Sequence, residues 1–175
     1  HDNGLMLHLG AEPARWTIDP GTGNAHRATE STESTESTAS TELPVCGRCH
    51  ARRSQFAPLT NPALSFSGSY RLSTLDSDLY WRDGQIRAED YEYGSFLQSR
   101  MNAHGFTCSY CHDHHTQRLR AEGNGLCEGC HLAAKYDDET HHHHPAGTAG
   151  AQCIDCHMPS ATYMRVAVRH DHSFR

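Results

Sequence analysis

Cys46-Gly47-Arg48-Cys49-His50, Cys108-Ser109-Tyr110-Cys111-His112, Cys127-Glu128-Gly129-Cys130-His131 and Cys153-Ile154-Asp155-Cys156-His157 decide how this chain is read. These four stretches hold all 8 cysteines, and each is a C-x-x-C pair followed at once by His. Paired C-x-x-C motifs also make thiolate zinc sites or thiol redox centres, but neither chemistry needs His directly after the second cysteine. His is 16 of 175 residues, so four such placements by chance come to roughly 1 in 10,000. A secreted disulfide framework fails the same test. C-x-x-C-H is the attachment signature of c-type haem, in which the two thiols add to the porphyrin vinyl groups and the adjacent His supplies the proximal iron ligand. The expectation is four haem c groups. Their thioethers are Cys46, Cys49, Cys108, Cys111, Cys127, Cys130, Cys153 and Cys156, and their proximal ligands are His50, His112, His131 and His157. No cysteine is left over, so neither disulfides nor free thiols are expected.

Composition points the same way. Hydrophobic residues are 36% of the chain and aromatics 8%, with a mean hydropathy of -0.72. That is thin for a chain that must offset its conformational entropy by burial. Four haems, about 2.5 kDa of mostly apolar group, would supply the missing core. No stretch approaches the roughly 18 apolar residues of a spanning helix, so a membrane-spanning protein is not expected. The formal charge of -6 argues against nucleic acid as a partner. Eight propionates would take it to about -14 with all irons ferrous and about -10 with all ferric. Such charge steers soluble redox partners.

Along the chain, residues 1–45 read as an irregular N-terminal segment. Within it, residues 28–42 form a low-complexity Glu-Ser-Thr tract with the composition of a flexible linker. Residues 46–175 read as the tetrahaem domain. Ser54 to Asp78 reads as loop. Ile86 to Gly105 reads as a helix, with acids early, Arg late and Gly105 at the C-cap position. Each C-x-x-C-H should begin or lie in a short helix. The fold class expected is mostly irregular with short α-helices organised around haem, with little or no β-sheet. The chain opens His1-Asp2-Asn3-Gly4, without Met or an apolar leader, and reads as a mature or trimmed chain. Haem is attached outside the cytoplasm, so a periplasmic, cell-surface or extracellular location is expected.

Twelve further histidines are candidates for the distal position: His1, His8, His26, His104, His114, His115, His141, His142, His143, His144, His170 and His172. His104 ends the predicted helix four residues before Cys108. His115 follows His112 by three residues, so it points elsewhere and would ligate another haem. At least one of the 141–144 run is expected to be a ligand. No Met occupies a clear distal position, and Met158 is badly placed for the iron of His157. Hydrogen bonds to the proximal rings should fix their orientation. Asp113 and Asp155 stand nearest in sequence for that role.

Residues from about 44 to 175 resemble the second half of the multihaem cytochrome domain in tetratricopeptide-linked c-type cytochromes, which carry doubled C-x-x-C-H motifs. The likeness rests on Cys46 to Arg53, Asp83-Gly-Gln-Ile86, Tyr93-Gly-Ser-Phe-Leu-Gln-Ser99, Cys108 to His115, the 141–144 run, Cys153 to Pro159 and Asp171-His-Ser-Phe-Arg175. Trp16-Thr-Ile-Asp-Pro20 extends it upstream. The chain departs from the family in lacking further upstream motifs and downstream helical repeats, and in having His114 where the family's C-H-x-P-H pattern has Pro. The resemblance implies distal ligation by His115, by one or two of His142 and His144, and by His172. In size the chain also resembles subunits of extracellular cytochrome filaments, in which a His of one subunit can ligate a haem of the next. His8 and His1 are candidates for that.

Three functions are compatible with these residues. The first is a soluble or surface cytochrome that passes electrons by hopping between closely packed bis-His haems, to redox partner proteins or an extracellular acceptor, without catalysis. The second is the same chemistry in a self-assembled filament. The third is a haem enzyme that reduces a nitrogen or sulfur oxyanion at an open iron. That chemistry would need fewer distal histidines than the chain offers.

Overall fold

The computed structural model describes residues 15–28, 42–58, 66–73, 75–88, 91–113, 116 and 118–175. Among these, seven short α-helices and three two-stranded antiparallel ladders are joined by turns, with no larger sheet. The strands are β1 (Trp16–Ile18) with β2 (Ala25–Arg27), β3 (Arg53–Gln55) with β4 (Tyr70–Leu72), and β5 (Ser160–Tyr163) with β6 (Ala167–His170). The sequence carries no strong strand pattern because three or four residues are too few for alternation to register. The β5–β6 turn also lacks the usual Asn-Gly signal. Met164 and Arg165 take its left-handed positions, at φ 50 and 65.

The helices are α1 (Glu42–His50), α2 (Glu92–Phe96), α3 (Arg100–Ala103), α4 (Gly125–Glu128), α5 (Ala133–Tyr136), α6 (Glu139–His142) and α7 (Cys153–His157). Apart from α1 none exceeds five residues, far below the length at which a helix stands alone in water. Side-chain staples and packing hold them instead.

The single helix expected over 86–105 is two. Tyr91 sits at φ 58 and blocks helix before α2. Ser99 is extended, and its hydroxyl accepts the Asn102 N–H at 3.0 Å, which starts α3 afresh. Ile86 lies outside both helices, bridged to Tyr80. The expected cap at Gly105 is present. Gly105 has φ 89, its N–H donates to Asn102 O, and Phe106 N–H donates to Met101 O, a Schellman pattern.

The first and fourth motifs lie within α1 and α7. The second begins a 3₁₀ turn, Cys108–Tyr110, and the third runs out of the end of α4. An aromatic cluster of Phe66, Tyr70 and Tyr93, with Ala51, packs on α1. The Phe66 ring centroid lies 5.4 Å from those of both tyrosines. Gly47 admits this packing, since a Cβ there would come 2.8 Å from Tyr93 Cζ.

Hairpin β1–β2 joins two motifs. Trp16 stacks on Phe106 at 3.9 Å between centroids, two residues before Cys108. Ala25 N–H donates to Cys130 O at 2.8 Å in the third motif. The β5–β6 hairpin returns the chain onto the fourth motif, where Asp171 N–H reaches Pro159 O and Arg175 N–H reaches His157 O. No helix among the described residues is long and apolar enough to cross a membrane.

Candidate cofactor-binding site

The cysteines of different motifs meet one another. Cys46 and Cys108, from the first and second motifs, share a side-chain hydrogen bond. Their sulfurs and a Glu42 carboxylate oxygen lie within 4.8 Å of one another. Glu42, buried at the first turn of α1, ties that helix to the second motif. It accepts Thr107 Oγ1 at 2.8 Å, Ser109 N–H at 2.7 Å and Ser109 Oγ at 2.7 Å. The shared hydrogen bond lowers the Cys46 thiol below its ordinary range and, with burial, raises Cys108 well above it.

Cys111 of the second motif is raised by burial, to which the Cys130 thiol of the third adds, and Cys127 is raised by burial, to which Cys111 adds. Cys127 in turn hydrogen-bonds Cys153 of the fourth. Cys153 is pushed up to about 11, chiefly by burial. Asn124 staples this last junction. Its Oδ1 accepts Cys153 N–H at 3.0 Å, and its Nδ2 donates to Ala151 O at 2.9 Å and Asp137 Oδ1 at 3.0 Å. The four motifs therefore adjoin in chain order, first to second to third to fourth.

Two pairs of histidines face one another. The His112 and His172 ring centroids are 6.2 Å apart with 31° between planes. Those of His157 and His141 are 6.1 Å apart with 10° between planes. Two metal–nitrogen bonds of about 2.0 Å, plus about 1.1 Å from each nitrogen to its ring centre, would put two imidazoles that hold one iron from opposite sides about 6.2 Å apart. Both pairs fit that spacing. Hydrogen bonds fix the tautomer of one ring in each pair. His172 Nδ1–H donates to His170 O at 2.9 Å, and His157 Nδ1–H donates to Arg175 O. In each ring Nε2 is then the bare nitrogen. Burial lowers His112, His131 and His172 below the ordinary imidazole range, which favours the neutral, ligating form.

His172 is held in place by Asp171. That buried carboxylate accepts Ser95 Oγ at 2.5 Å, Ser173 N–H at 2.9 Å, Ser173 Oγ at 2.8 Å and Arg175 Nε at 3.0 Å. Burial alone would raise Asp171, but these donors outweigh it and hold the carboxyl below its ordinary range.

The other expected ligands that lie in the described residues are placed as follows. Within the 141–144 run the residue opposite His157 is His141, which the sequence reading did not single out. His142 lies 3.7 Å from Asp137, and its Nδ1 accepts His144 N–H at 3.2 Å. The His144 ring covers Gly150, where a Cβ would come within 2.7 Å of it. His104 is exposed at the C-cap of α3. His50 is exposed at the end of α1, near enough to His112 for their charges to interact. His8 and His115 lie outside the described residues.

Neither acid expected to orient a proximal ring does so. Asp113 accepts Thr116 Oγ1 at 2.6 Å, and Asp155 accepts Gly150 N–H at 3.0 Å. The side chain at His131 is instead Asn24, whose Oδ1 lies 2.9 Å from Nδ1. Asn24 stands alone in a turn, 107 residues away, so no spacing in the sequence announces it. No family model, curated protein or solved structure matches this chain.

Proposed function

We propose that this chain is a four-haem c-type cytochrome that carries electrons outside the cytoplasm and is not an enzyme. The observation that carries the reading is the pairing of His112 with His172 and of His157 with His141 at 6.2 and 6.1 Å, a spacing at which both rings could hold one iron, each pair including the His of a C-x-x-C-H motif. Haem iron supplies reversible one-electron chemistry when bound.

The eight motif cysteines would hold the four groups as thioethers, with His50, His112, His131 and His157 as proximal ligands. His172 would complete the site of the second motif and His141 that of the fourth. Asp171 and the β5–β6 hairpin fix the position of His172. The Asp138 carboxylate caps α6 by accepting Thr140 N–H at 2.8 Å, which sets the direction of His141. Because the motifs adjoin in chain order, the reading assigns the four groups to one file with the first and fourth motifs at its ends. The partners are then redox proteins or an extracellular acceptor that reach those ends.

The test is a set of visible and EPR spectra of the holoprotein, oxidised and reduced, with and without carbon monoxide. The proposal predicts low-spin ferric signals for the haems of the second and fourth motifs and no carbon monoxide adduct at either. High-spin iron that binds carbon monoxide at those two sites would favour catalysis over electron carriage.

A further inference from the structure

Hairpin β1–β2 contains no cysteine, yet its turn closes on the third motif. Leu132 N–H donates to Gly23 O and Ala25 N–H to Cys130 O, each at 2.8 Å, so the turn flanks His131 on both sides. Gly23 is what permits the approach. It sits at φ +74, and a Cβ there would come 2.7 Å from Lys135 Cδ and 2.9 Å from Tyr136 Cε2. Lys135 closes over the turn by donating to Gly21 O at 3.1 Å and Thr22 O at 2.8 Å.

The surrounding bonds fix which way the Asn24 amide points. Tyr136 has a single hydroxyl proton and donates it to Thr22 O at 2.8 Å. Toward Asn24, 3.0 Å away, Tyr136 Oη can therefore only accept, so Asn24 Nδ2 faces the tyrosine and Oδ1 faces His131. An amide oxygen has no proton to give. His131 Nδ1 is accordingly the protonated nitrogen, donating to Asn24 Oδ1 at 2.9 Å, and Nε2 carries the free lone pair. His157 meets a main-chain carbonyl in the same position. Of these two proximal rings, His131 is the one whose partner is a side chain.

We infer that Asn24 is a positioning residue for His131: it holds the third motif's imidazole as the Nδ1–H tautomer and, through that hydrogen bond, sets the donor strength of Nε2 and the reduction potential of the iron it ligates. The inference rests on the four-haem reading. A stronger acceptor at Nδ1–H makes Nε2 more electron-rich, which favours ferric iron and lowers the potential; a lost acceptor does the reverse. The Gly23-Asn24 turn thus gives a segment outside the haem-binding motifs control over one of the four potentials.

The test compares the wild-type holoprotein with Asn24→Asp and Asn24→Leu. Haem is counted by pyridine haemochromogen, and potentials are read by spectroelectrochemical titration with EPR. Asn24→Asp should shift one of the four potentials down by about a tenfold change in the ferric-to-ferrous ratio, 59 mV for one electron. Asn24→Leu should shift the same haem up and move its EPR g-values. Opposite signs separate tuning from a structural role, which would move both variants the same way. If Asn24→Leu loses haem, Asn24→Asp decides, because it keeps an acceptor and should show the downward shift. Four bound haems with unmoved potentials in Asn24→Asp overturn the role of Asn24 alone. A wild-type chain without haem on Cys127 and Cys130 overturns this inference and the four-haem reading together.

Discussion

Removing the Asp171 carboxylate should free His172 from its place opposite His112. In Asp171→Ala, Ser95 loses its partner at 2.5 Å, and Ser95 is 0% exposed, so no water replaces it. An orphaned buried hydroxyl costs about 1–3 kcal/mol. The Ser173 bonds at 2.8 and 2.9 Å go as well. The Arg175 bond adds little, because that side chain is 30% exposed. The total is about 3 kcal/mol, close to a hundredfold in the equilibrium that docks residues 171–175. The assay is thermal unfolding of the holoprotein together with EPR. One haem should become partly high-spin and bind carbon monoxide, while the other three stay as in wild type. Ser95→Ala combined with Asp171→Ala should cost less than the two separately, because the orphaned hydroxyl is then absent. A loss under about 1 kcal/mol with unchanged spectra would mean that Asp171 does not hold His172.

His141→Ala should open one iron to carbon monoxide, whereas His142→Ala should leave the ligand-binding spectra unchanged; the reverse outcome would restore the ligand choice that the family resemblance implies. Asn124→Ala removes the staple between the third and fourth motifs at a cost of about 2 kcal/mol, read as a fall of roughly 4–8 °C in Tm. Gly47→Ala presses a methyl against the Tyr93 ring at 2.8 Å and should destabilise by about 1–3 kcal/mol, measured by denaturant titration. Glu92 is pushed up by burial, but the Arg169 guanidinium, at 2.5 Å, outweighs this and holds its carboxyl below the ordinary range. Its contribution is therefore full above the unfolded carboxylate range and is lost as pH falls through the lowered folded value. The stability difference between wild type and Glu92→Gln should thus be present at pH 7 and vanish in strong acid.

What the sequence made legible were the parts written in local chemistry. The four motifs are contiguous, and a cap such as Gly105 is a single residue in a known position. The split of the 86–105 helix was hidden because it depends on Tyr91 at positive φ and on Ser99 turning its hydroxyl to Asn102. The three ladders were hidden because each strand is shorter than one readable period. Choosing among four consecutive histidines is beyond periodicity, since successive residues on a helical turn point about 100° apart. His141 lies opposite His157, on a helical turn bounded by the Asp138 cap and the left-handed His143 at φ 62. Glu42, Asp171 and Asn24 each bond a partner 65 or more residues away, and only the folded chain brings such partners together.

Whether each motif carries a covalent haem is read from the intact mass of the purified protein, paired with pyridine haemochromogen quantitation. The expected result is a mass about 2.5 kDa above the polypeptide, four haems per chain and no cysteine open to a thiol reagent after denaturation. A chain at the bare polypeptide mass of 19.5 kDa, with reactive thiols or thiolate-bound zinc, would contradict it.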